Sequence, residues 1–152
     1  MKKKRQIRIP RNKEMLLPLP AGVARGISLE NHLALAAMRS GHGTPETMVT
    51  LLRVLYMTHF LLGTACSSSD QSLFLNVEAA LSKCIQEAEK RSDWRLEAEW
   101  LPGIEAILRR FDEVIQYIPK SDYVDAWKKL SIFALSGNQS PINGSRVEGV
   151  WI

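Results

Sequence analysis

The sequence predicts an all-α fold of about five helices in a compact bundle-like domain, with an irregular basic N-terminal arm and a loose C-terminal tail. Three observations carry that expectation. Apolar residues recur at three- and four-residue spacing through residues 28–137, helix-starting and helix-stopping residues stand at the ends of those runs, and no run in the body alternates as a strand does. The 152 residues are 45% hydrophobic and 24% charged, the makeup of one soluble globular domain. A chain of this size buries roughly 68–70% of the surface it exposes when unfolded, so its core needs neither metal nor disulfide. The organisation expected is a basic arm over 1–27, a helical domain over 28–137 and a flexible tail over 138–152.

Residues 1–27 carry no helical period, and Pro10, Pro18, Pro20, Gly22 and Gly26 punctuate them densely. Ser28 is placed to cap a first helix to about Arg39, with Leu29, His32, Leu33, Ala36 and Ala37 as its inward stripe and Gly41 as its stop. Thr44 and Pro45 open a second helix whose stripe is Met48, Leu51, Leu52, Leu55, His59 and Leu62. Val49, Val54, Met57, Phe60 and Leu61 make it apolar on most sides, which predicts a central position. Ser67 to Asp70 is the cap region of a third helix. Leu73, Val77, Ala80, Leu81, Cys84, Ile85 and Ala88 then face inward, and Glu78, Lys83, Gln86, Glu87 and Lys90 face solvent.

Asp93 is read as the cap of a fourth segment reaching Ile118, which Pro102 and Gly103 either kink or truly begin. Its period runs through Ile104, Ile107, Leu108, Phe111, Val114 and Ile115. Ser121 caps a fifth helix to about Leu135, with Tyr123, Trp127, Leu130 and Ala134 inward and Gly137 as a stop. Residues 138–152 are rich in Asn, Ser, Gly and Pro, the composition of a loose terminus.

The net charge of +4 is unevenly placed. Lys2, Lys3, Lys4, Arg5, Arg8, Arg11 and Lys13 stand against Glu14 alone, giving +6, while the other 13 basic and 15 acidic residues give −2. Those seven cations are the candidate nucleic-acid-binding residues, able to neutralise phosphates or enter a minor groove. The body lacks the basic face a nucleic-acid-binding domain usually presents. Helices one and two superficially suggest a helix-turn-helix, but the second offers essentially Arg53 to a major groove. Two cysteines, Cys66 and Cys84, do not make a disulfide framework and fit a reducing cytoplasm. Met48 to Leu62, interrupted by Arg53 and His59, falls short of a bilayer span. Pro18 and Pro20 break the apolar run that would follow Lys2–Arg5 in a signal peptide.

Catalytic and metal signatures are missing. His32, His59, Cys66 and Cys84 have no recognised ligand spacing, so no metal and no cofactor are expected. Cys66 or Cys84 with His59 offers only the dyad that any helical chain with such residues offers. The carboxylates Glu87, Glu89, Glu97, Glu99, Asp112 and Glu113 are read on solvated faces. Trp94 and Trp100, among four tryptophans, are the candidate partner-binding residues, because Trp anchors interfaces.

A Lys- and Arg-rich arm ending in Arg8-Ile9-Pro10, then Asn31-His32-x-Ala34-x-x-Ala37 leading to Gly43-Thr44 and a long apolar helix, resembles short proteins carried by prophages and other mobile elements of proteobacteria. The resemblance spans residues 1–65 and implies a protein that binds and redirects host machinery, or that regulates the element's own genes. It carries no assigned functional residue. The expectation is a non-enzymatic, cytoplasmic interaction protein whose partner is a host- or element-encoded protein, with homo-oligomerisation compatible and no membrane partner. The alternative is a nucleic-acid-associated accessory protein using residues 1–13.

Overall fold

Capping chemistry decides where the helices begin. The computed structural model describes residues 13–136 and 140–147, which form five α-helices and no strand. They are α1 (Ala21–Arg39), α2 (Pro45–Leu62), α3 (Ser68–Arg91), α4 (Leu101–Ile115) and α5 (Lys120–Ser136). Short 3-10 turns lie at Lys13–Leu16, Gly63–Ala65 and Ala98–Trp100. Thr44 opens α2 with a capping box, its hydroxyl accepting from the Thr47 amide while the Thr47 hydroxyl accepts from the Thr44 amide. Ser67 and Asp70 form the same reciprocal pair at α3. At the end of α1, Gly41 at φ 83° lets the His42 amide turn back onto the Ala37 carbonyl at 2.9 Å.

α2 is the centre, packed against all four other helices. Its Leu51, Leu52, Leu55 and Met57 are fully enclosed, with Phe74 and Leu81 of α3 and Ile104, Ile107, Leu108 and Ile115 of α4. Two buried threonines on this apolar helix satisfy themselves locally, Thr50 donating to the Glu46 carbonyl and Thr58 to that of Val54. With the turn after it, Pro45–Ala65 is long and apolar enough to cross a membrane, at a mean hydropathy of 1.4. That stretch outruns Met48–Leu62, the shorter run on which the sequence expectation rests. Ten of the α2 side chains nonetheless lie in the core of the bundle.

Three expectations are corrected. α1 begins at Ala21, seven residues before Ser28, because Pro20 sits just outside the first turn where a missing amide is harmless. Gly22 and Gly26 fall on its outer face, with no atom of the described residues within 4 Å of an added Cβ. α1 also buries the other side from the one predicted: Asn31, Ala34, Leu35 and Met38 face the core, with Ile27 half-buried, while Leu29, Leu33 and Ala36 face out.

Of the two readings of the fourth segment, a kinked helix from Asp93 or a true start at Pro102 and Gly103, the structure takes the second. Pro102 in a helix interior would clash with the carbonyl four residues back, so α4 starts at Leu101 with the proline in its first turn. The C-terminal segment 140–147 is docked on the bundle: Ile142 is buried, and Gln71 Nε2 donates to the Asn143 carbonyl at 2.9 Å.

Candidate interaction surface

The backbone of α1 divides its residues between two apolar faces. One face packs on α2 and α4. The other carries Gly22, Gly26, Leu29, Leu33 and Ala36, all exposed, with Leu29 59% and Leu33 58% open to solvent. These five recur at four, three, four and three residues, the seam of a helix that meets another helix lengthwise. From Gly22 to Ala36 the seam runs roughly 21 Å at 1.5 Å per residue. Arg25, His32 and Arg39 stand along one edge of it, and Val23, Glu30 and Ala37 along the other.

Surface grooves flank α1 on both sides, so the helix stands out as a ridge. Toward α2, a groove of about 420 Å³ is lined by Gly26, Leu29, Leu33, Glu46, Thr47 and Thr50. Toward α4 lies one of about 850 Å³, bounded by Leu19, Ala24, Arg25, Ser28, Leu29, His32, Asp112 and Ile115. In the larger groove His32 Nε2 meets Asp112 Oδ2 at 2.8 Å, and the second Asp112 oxygen is buried with no partner among the described residues. The sequence pattern places His32 inside as a packed imidazole and Asp112 in solvent. The structure instead pairs them across the groove, 80 residues apart in the chain.

Arg39 approaches Glu105 at 3.9 Å and Glu30 approaches Arg53 at 3.8 Å. Both are exposed pairs of small energetic weight. Arg25 has no ion pair among the described residues.

A second polar group lies inside. The sequence pattern places Glu78 on the solvated face of α3, yet it is 1% exposed. Tyr56 donates its hydroxyl to Glu78 Oε2 at 2.7 Å, and Ser140 and Ser145 donate theirs to the same carboxylate. Burial, then the Glu78 bond and charge, push the Tyr56 phenol far above its ordinary range and hold it as a donor. His59, one turn along α2 and edge-on to Phe74, is pushed below the usual histidine range by burial, partly offset by a bond to the Pro141 backbone. This cluster holds the C-terminal segment to α2 and α3.

The thiols do not extend the cluster. Cys84 donates to the Arg95 carbonyl at 3.4 Å, and burial pushes it up to about 11. Cys66 is raised as well, burial first and the Asp70 charge second. Among the described residues no three His, Cys, Asp or Glu side chains converge as metal ligands.

The residues singled out from sequence are scattered. Lys2, Lys3, Lys4, Arg5, Arg8 and Arg11 lie outside the described residues, and Lys13 is exposed in the first 3-10 turn. Trp94 and Trp100 are half-buried against the core, away from the α1 seam, with Lys83 5.2 Å over the Trp100 ring. Sequence reasoning misses the seam itself. Its signal is the seven-residue spacing from Gly22 through Leu29 to Ala36, hidden once the first helix is begun at Ser28.

Comparison of the chain with family models, curated proteins and solved structures gave no match. The functional reading therefore stands on geometry and chemistry.

Proposed function

We propose that the protein is a non-enzymatic interaction protein that docks a partner helix along the outer seam of α1. The observation that carries this reading is a seam of about 21 Å without a single charged residue, on a helix whose opposite face already supplies the core. Heptad spacing favours a helical partner over an extended peptide, which would ask for a free sheet edge. In keeping with the resemblance to mobile-element proteins, the partner class is a component of host machinery or of the element itself. Affinity capture from a bacterial lysate tests it, with the full chain beside Leu29→Glu/Leu33→Glu. Both side chains are solvent-exposed, so the variant keeps its helical circular dichroism. A partner held stoichiometrically by the parent and lost by the variant is expected; recovery indifferent to the variant refutes the reading.

One observation favours a second reading. The +6 of residues 1–14 against −2 elsewhere suits an arm that grips phosphates while the body does the positioning. Duplex affinity should then fall with salt at a log-log slope of about −0.9 per phosphate neutralised, and deletion of residues 1–13 should remove most of that slope. Failure of the full chain to shift duplex DNA or RNA at about 50 mM salt removes this reading.

A further inference from the structure

The edges of the α1 seam are not equivalent, and their difference identifies what the seam receives. In the heptad frame set by Gly22, Gly26, Leu29, Leu33 and Ala36, the edge with Arg25, His32 and Arg39 is the g edge, and the edge with Val23, Glu30 and Ala37 is the e edge. When two helices pair in parallel, each g residue faces the e residue five positions further along its partner. Arg25 then faces Glu30, and a two-fold axis makes that contact twice; His32 faces the neutral Ala37. Antiparallel pairing of the same seam sets g against g, bringing the Arg25, His32, Arg39 edge against its own copy. Between two copies of this chain, charge therefore favours the parallel orientation.

We propose that the partner of the seam is the α1 helix of a second copy of this chain, paired in parallel about a two-fold axis, with Leu29 and Leu33 packed on their counterparts and Arg25 bridging to Glu30 of the other copy. This rests on the docking role of the seam and names its occupant. Gly22 and Gly26, with no atom of the described residues within 4 Å of an added Cβ, leave room for close approach at the N-terminal half. Grooves of about 850 and 420 Å³ flank α1 on its α4 and α2 sides, so its outer seam stands as a ridge between them. Both helices are already folded, so pairing carries no helix-nucleation cost. Two heptads bury less than the roughly 800 Å² per partner of a standard interface, which makes this a dimer that forms and dissociates with concentration.

Sedimentation of the full chain under reducing conditions, from about 1 to 200 µM, should show a reversible monomer–dimer equilibrium. Arg25→Glu sets Glu against Glu twice, and Glu30→Arg sets Arg against Arg twice. Each should weaken the dimer about tenfold, and the double exchange Arg25→Glu/Glu30→Arg should restore it. Leu29→Cys on a Cys66→Ser background should cross-link to itself on oxidation, because core positions of a parallel pair face their own copies. A dimer that ignores the charge reversals, or is not rescued by the exchange, overturns the proposal. A chain monomeric at about 200 µM whose seam still captures a different protein also overturns it, while the docking role stands. A monomeric chain that captures nothing through Leu29 and Leu33 overturns both.

Discussion

Replacing Tyr56 by Phe removes one oxygen from the middle of the bundle and tests whether the buried carboxylate holds the fold together. Tyr56 is 2% exposed and Glu78 1%, so no water replaces the lost hydroxyl at 2.7 Å from Oε2. Among the described residues no cation is paired with this carboxylate; hydroxyls carry it. A hydrogen bond to a charged group contributes about 1.5–3 kcal/mol net, and the enclosed site places this one at the upper end, about 2–3 kcal/mol. For a domain of this size that lowers Tm by roughly 5–10 °C. Urea denaturation followed by circular dichroism at about pH 7.5 measures it. In a Glu78→Gln background the same Tyr56→Phe change should cost only about 1 kcal/mol, since a neutral amide oxygen replaces the charged acceptor. Amide exchange at Ile142 should rise in parallel, because Ser140 and Ser145 share the carboxylate that Tyr56 helps to hold. A loss under about 0.5 kcal/mol, or equal losses in the two backgrounds, refutes the view of this cluster as the clasp of the C-terminal segment.

Stability should fall as pH drops below about 6.5, with a slope of up to about 1.4 kcal/mol per pH unit for one proton, because His59 binds its proton more weakly in the folded chain than in the unfolded one; His59→Phe should flatten that stretch of a stability-against-pH curve. Ser92, the left-handed cap of α3 at φ 55°, should gain about 0.5–1 kcal/mol on change to Gly, and a loss in chemical denaturation would mean its hydroxyl matters more than its backbone. Gly43→Ala should cost about 1–3 kcal/mol by the same measurement, since a Cβ there lies 2.5 Å from the Met38 sulfur and closer still to the Trp94 carbonyl.

Features fixed by neighbours in the chain are legible in the sequence. Thr44-Pro45 marks the start of α2, Ser67 and Asp70 that of α3, and Pro102 the true start of α4, because each acts on backbone groups within a turn of itself. The central place of α2 follows from apolar residues on nearly every side. Features fixed by distant neighbours are not legible. Glu78 reads as solvated until Ser140 and Ser145, 62 and 67 residues on, supply their hydroxyls. His32 reads as core until Asp112 arrives from α4. For α1 the obstacle is local: two apolar stripes compete, and Asn31 amid Ile27, Ala34, Leu35 and Met38 makes the buried stripe look the poorer one.

That competition also weighs against a merely solvated α1. Elsewhere in the bundle the outward sides carry charge: Lys83 and Lys90 on α3, Arg109 and Glu113 on α4, Lys128 and Lys129 on α5. Exposed Ile132 and Leu135 of α5 are one turn apart, with Lys128 a turn before Ile132 on the same face. The outer seam of α1 holds no charge from Gly22 to Ala36, while both of its edges do. A helix that needed only water on that side gains nothing from Leu29 and Leu33, each more than half exposed, and gives up solubility by carrying them. The arrangement of charge at the edges and none along the line is what a second helix requires, and it favours α1 as the binding element of this chain.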